Sequence, residues 1–125
     1  MDEIDEYLKK SEAKIRGDWR IVEDKAKAIY DHAQMLVCVG KHLESLPYFE
    51  DAQKLLFASK LELVWKRLYC SVCLNHATAL DFVGQYDKEN QLFKELMSVD
   101  PIGFHIGDYA LFLHRRRREF DQAQA

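Results

Sequence analysis

A chain of 125 residues, 48% hydrophobic and 31% charged, is long enough for one domain with a sizeable core and too apolar for a disordered segment. Its formal charge of −3 predicts neither a nucleic-acid binder nor a membrane-surface protein. No apolar run is long enough to cross a bilayer, the acidic start "MDEIDEYLKK" reads as neither a signal nor a transit peptide, and three cysteines make no disulfide framework; a cytoplasmic, reducing setting is expected.

Five glycines and two prolines leave room for long elements, and apolar spacings of three and four recur throughout, so the fold class is all-α. Ile4, Tyr7, Leu8 and Ile15 mark a short first helix that stops near Gly17. Asp18 can cap the next, whose stripe reads Trp19, Val22, Ala26, Ile29, Tyr30, Ala33, Leu36 and Val37 and ends at Gly40. Leu43, Leu46, Phe49, Ala52 and Leu56 mark a third helix, in which Pro47 is expected in the first turn. Ser59 and Glu62 read as a capping box opening a fourth, with Leu61, Trp65, Leu68, Val72, Cys73, His76, Leu80 and Val83 on its stripe and Gly84 at its end. Tyr86, Phe93, Leu96 and Met97 define a fifth, closed by Asp100–Pro101. "FHIGDYALFLHRRRR" and "EFDQAQA" read as a last pair, its second helix starting at Glu119 and cut short. The long helices are expected near 18–39 and 61–83, each exceeding about 30 Å.

Two of these helices end on the same phrase. "DHAQMLVCVGKH" at Asp31–His42 and "NHATALDFVGQY" at Asn75–Tyr86 share His-Ala-x-x-Leu-x-x-Val-Gly, and Phe49 falls on Phe93. Ala33 and Ala77 allow a second helix to approach closely, and Gly40 and Gly84 suit a left-handed helix end. Leu36, Val39 and Phe49, with Leu80, Val83 and Phe93, should fill the space between antiparallel helices. An unrelated bundle would explain the periodicity but not the shared phrase.

The pattern resembles the tetratricopeptide repeat (TPR) family over roughly residues 24–125. Laid on the second hairpin, it meets Cys73, His76, Ala77, Leu80, Glu89, Phe93 and Pro101, and "GQYD" matches the family's turn. Glu89 stands where a small residue is usual, as does Leu96, so packing should be looser there. A third copy reads as Asp108-Tyr109-Ala110, Leu113 and "EFDQA". Ala77 and Ala110 are 33 residues apart, near the family period, whereas Ala33 and Ala77 are 44 apart; both helices flanking Phe57–Trp65 should be extended. The resemblance implies a right-handed solenoid of antiparallel hairpins with an extra N-terminal helix. Residues 1–125 then form one domain: helix 1–17, hairpins 18–58 and 59–101, and a truncated hairpin 102–125.

It also implies non-enzymatic binding of a protein or peptide on a concave face, as an interaction module or adaptor. Candidate groove residues are Lys27, Tyr30, Gln34, Ser71, Leu74, Thr78 and Asp81. The run Arg115, Arg116, Arg117 and Arg118 could receive an acidic partner, or simply be a solvated last turn. The positions with which some family members grip a C-terminal carboxylate hold Tyr30, Gln34, Asn75, Phe104 and Asp108; only Asn75 fits, which disfavours that role. Cys70, Cys73 and His76, with Cys38, invite a zinc reading, but paired cysteines of structural sites usually lie on turns; buried free thiols explain them better, and no metal or other cofactor is expected. His32 and His76 read as hydrogen-bonded, half-buried histidines rather than a pH sensor. No nucleophile–base pair or phosphate loop is found, so no catalytic residue is expected. The competing classes are a self-association unit and, more distantly, a small metal-binding helical protein. Self-association would form a homodimer through the C-terminal hairpin, where Leu111, Phe112, Leu113 and Phe120 should be under-covered.

Overall fold

The computed structural model describes residues 3–17, 21–59, 63–100 and 105–124. Six helices account for almost all of them, and no strand occurs among the described residues. They are α1 (Glu3–Ile15), α2 (Val22–Cys38), α3 (His42–Ser59), α4 (Leu63–Phe82), α5 (Tyr86–Val99) and α6 (His105–Gln124). Each packs on the next in sequence, and α2 also reaches α4, an arrangement consistent with a helical solenoid. None of the described helices is long and apolar enough to cross a membrane.

The repeated phrase builds the same joint twice. Gly40 and Gly84 adopt φ values of 85° and 79°, the left-handed region where a β-carbon is disfavoured. Around the first, Gly40 N–H donates to the Val37 carbonyl at 3.0 Å and Lys41 N–H to the Leu36 carbonyl at 2.8 Å. Around the second, Gly84 donates to Asp81 at 3.1 Å and Gln85 to Leu80 at 2.9 Å. These paired bonds define a Schellman motif and satisfy carbonyls that a helix end leaves open. The next helix starts two residues later in both copies. Ala33, Leu36 and Phe49 are buried, and so are their counterparts Ala77, Leu80 and Phe93. Val39 departs from expectation: it caps α2 and is 37% exposed.

The extra residues of the first interval lie where the flanking helices lengthen. α3 has 18 residues against 14 in α5, and α4 has 20 against 17 in α2. At about 1.5 Å per residue α4 reaches roughly 30 Å, but α2 only about 26 Å. α2 begins at Val22 rather than 18, behind an Ile21 N-cap that makes no side-chain bond. The expected Asp18 cap and Trp19 lie outside the described residues. Ser59 is the last residue of α3, and Lys60–Glu62, needed for the capping box, are likewise outside.

Several finer expectations are corrected. Pro47 lies in the second turn of α3, which starts at His42. Its missing N–H leaves the Leu43 carbonyl unpaired in the helix, but Leu43 and Pro47 are both exposed, where water can take it. In α1 only Leu8 is buried, while Ile4 and Tyr7 are 49% and 57% exposed. The last segment is one continuous helix, α6, rather than a hairpin broken at Glu119. Its sequence from Arg115 to Gln124 contains no glycine or proline to interrupt it, and four arginines favour helix. Phe112, expected to be available, is 2% exposed; Tyr109 and Phe112 pack against Phe93 with ring centroids 5.2 and 5.7 Å away.

Candidate functional site

Two grooves flank α4. The first lies between α4 and α6 above α5, about 580 Å³ in volume. Leu74, Thr78 and Asp81 recur at three- and four-residue spacing and so share one face of α4. That face meets Asp108, Leu111 and Arg115 across the groove, with Phe93 and Glu89 of α5 lining it too. Thr78 Oγ1 donates back to the Leu74 carbonyl at 3.0 Å. At the mouth, Phe82 and Leu111 are 71% and 62% exposed. Phe82 is held by stacking on His42, with ring centroids 3.7 Å apart.

The structure therefore brings together Leu74, Thr78, Asp81 and Arg115. The other candidates are placed differently. Lys27 and Ser71 are exposed on α2 and α4, and Gln34 is half-buried. Tyr30 is turned into the core, where its hydroxyl accepts a hydrogen bond from Asn75 Nδ2 at 2.7 Å. Asn75 also donates to the Ser71 carbonyl at 2.9 Å, so its amide is already engaged.

The arginine run is divided by the fold. Arg115 donates to Asp81 Oδ2 at 3.3 Å, and Arg116 approaches the same oxygen at 4.0 Å. Arg116 further pairs with Glu119 at 3.0 Å and lies 3.6 Å over the Tyr86 ring. Arg117 and Arg118 stand exposed, outside this network. Glu89 sits at its centre, 2% exposed, with Oε1 unpartnered. Burial, then a hydrogen bond and the charge of Asp81, push its carboxyl up to about 8 against the opposing pull of Arg115 and Arg116. The proton that burial favours on Glu89 can be donated to Asp81, and Asp81 ties α6 to the α4–α5 hairpin through Arg115 and Arg116.

The second groove, about 660 Å³, runs between α3 and α5 with α4 as its floor. None of its lining is among the candidate partner-binding residues; His76, on its floor, is weighed above as a zinc ligand and expected half-buried, whereas it is 5% exposed. Its walls look like ordinary polar helix faces in sequence, and the faces come together only through the packing of three helices. Cys73, beneath it, is fully buried; burial first of all pushes its thiol well above the usual range. Cys70 is half-buried and Cys38 exposed. Among the described residues no group of His, Cys, Asp and Glu is arranged to hold a metal ion.

Comparison with protein-family models, with curated proteins and with solved structures finds no match to this chain.

Proposed function

We propose that this chain is a non-enzymatic protein-interaction module, a TPR-like right-handed array of helical hairpins that takes a partner peptide or helix in the α4–α6 groove. The observation that carries the reading is the convergence of Leu74, Thr78 and Asp81 with Leu111 and Arg115 on one groove of about 580 Å³. Support for the TPR-like part comes from the two Schellman joints and the buried alanines and phenylalanines, recurring 44 residues apart. A partner apolar side chain would rest on Leu74, Phe82 and Leu111, and its polar groups would meet Asp108 and Asp81. Arg117 and Arg118 stand ready for acidic residues further along the partner.

The test is affinity capture with the purified chain, comparing wild type, Thr78→Arg and the distant surface change Lys10→Glu by quantitative mass spectrometry. Partners should be retained by Lys10→Glu and lost by Thr78→Arg, with unchanged helical circular dichroism. Equal recovery by all three would remove the groove from the binding function.

A second reading, self-association, is favoured by the exposure of Leu111 and Leu113, 62% and 46%, on the last helix. In it a second copy covers α6.

A further inference from the structure

We propose that the outer face of α6 in one copy of the chain docks, antiparallel, on the outer face of α1 in a second copy. This contact rests on the self-association reading and supplies the surface that covers α6 in it.

Within one copy α1 packs on α2 and α6 on α5, so the two helices flank the array from either side. Each presents a stripe of exposed side chains at three- and four-residue spacing. On α1 the stripe runs Glu3, Tyr7, Lys10 and Lys14, and on α6 it runs Ala110, Leu113 and Arg117, with Arg118 beside it. The α6 stripe turns away from Tyr109, Phe112 and Arg116, which fasten the helix to its neighbours. It also turns away from Leu111 and Arg115, which line the α4–α6 groove. A cover on this stripe therefore leaves that groove open.

The two stripes match in apolar content and in the order of their charges. Each has one large apolar side chain in its middle, Tyr7 at 57% exposure and Leu113 at 46%. Charge then sets the direction. The acids of α1 lie in its first turn and a lysine in its last, whereas the arginines of α6 follow Leu113. With Tyr7 against Leu113 and the helices antiparallel, Glu3 falls opposite Arg117 and Lys10 opposite Ala110. A parallel arrangement with the same apolar match would bring Lys10 to the arginine run, and like charges side by side disfavour it. Antiparallel is also the sense expected of α2 with α3, and of α4 with α5, across their short joints. One pair of helix faces makes a small interface, of the weak and transient class. Dimers form first; the α1 and α6 faces still unused in a dimer can extend it at higher concentration, because the contact joins two different faces.

The test combines two surface variants of the full chain, Tyr7→Lys and Leu113→Lys, and reads mass by sedimentation at high micromolar concentration. Each variant alone has one face blocked and should associate roughly tenfold more weakly than wild type, the scale of losing an apolar anchor. Their equimolar mixture should recover a 1:1 dimer that grows no further, since the Leu113→Lys chain offers its α1 and the Tyr7→Lys chain its α6. Wild-type association should weaken as salt rises from about 50 to about 500 mM. Glu3→Lys, which turns an attraction to Arg117 into repulsion, is a second α1 variant that keeps the test intact if circular dichroism shows Tyr7→Lys to be damaged. Association of both α1 variants at wild-type strength, with only Leu113→Lys impaired, would overturn the proposal and leave an α6–α6 dimer. A mixture that stays monomeric while wild type associates would overturn it too. A wild-type chain that is itself strictly monomeric would remove self-association and this contact together.

Discussion

Glu89 and His76 are buried ionisable side chains whose burial acts in opposite directions on the proton. The histidine loses its charge, and the carboxyl keeps its proton. For Glu89 the folded value of about 8 lies above the ordinary 4.5, so the folded state holds this proton more tightly than the unfolded chain. Below about pH 4.5 both states are protonated and the carboxyl costs nothing by ionising. As pH rises from there to about 8, the unfolded chain ionises first and wild-type stability falls; above 8 the loss is complete. Glu89→Gln retains a donor for Asp81 and cannot ionise. Its melting temperature should match wild type near pH 4.5 and exceed it by about 4 °C or more at pH 8.5. Thermal melts at five or six pH values check this. A constant difference across the range would mean that Glu89 is already ionised in the fold. His76 works the other way: its contribution is complete above the ordinary histidine value of 6.5 and is lost as pH falls toward 4.

At the scale of the element, the hairpin joints were legible because each requirement falls on a residue type with few substitutes. A left-handed helix end asks for glycine, and a close helix approach asks for alanine. Gly40, Gly84, Ala33 and Ala77 occupy those places. The continuity of α6 was not legible, because "EFDQA" imitates the start of a repeat helix while nothing before it breaks the helix already under way. Resemblance suggested a turn that local propensity does not support. Leu74, Thr78 and Asp81 could be found from spacing alone, since one helix face contains all three. The α3–α5 groove could not, because its floor and walls belong to three different helices. A control for the alanine contact must be exposed, which excludes Ala79, two residues along and itself 1% exposed. Ser71 is exposed on the same helix and serves instead. Ala77→Leu should cost about 1–3 kcal/mol by overpacking, whereas Ser71→Leu should stay within about 0.5 kcal/mol. Urea unfolding of both variants decides it; equal midpoints would place the close contact of α4 elsewhere.

For the whole molecule the question is what happens at the last helix. α6 is fixed from one side by Tyr109 and Phe112 against Phe93, and by Arg115 and Arg116 against Asp81. Leu113 remains 46% exposed, and Phe120 has its side chain outside the described set. In a helical array each unit buries its apolar face on the next, so the final helix needs a polar outer side or a cover. Leu111 faces the groove and would be covered by a bound partner; Leu113 lies outside the groove lining and would not. The two readings therefore separate by residue. Under self-association, Leu113→Lys should convert a concentration-dependent dimer to monomer, while Thr78→Arg in the groove leaves the dimer intact. Phe112→Ser would not serve as a probe, because a side chain 2% exposed would report core damage instead. Light scattering from low to high micromolar concentration provides the measurement, and the expected result is a mass that rises toward twice that of the chain. A strict monomer over that range, unchanged by Leu113→Lys, would eliminate self-association and leave partner binding in the α4–α6 groove as the account of Leu111 alone.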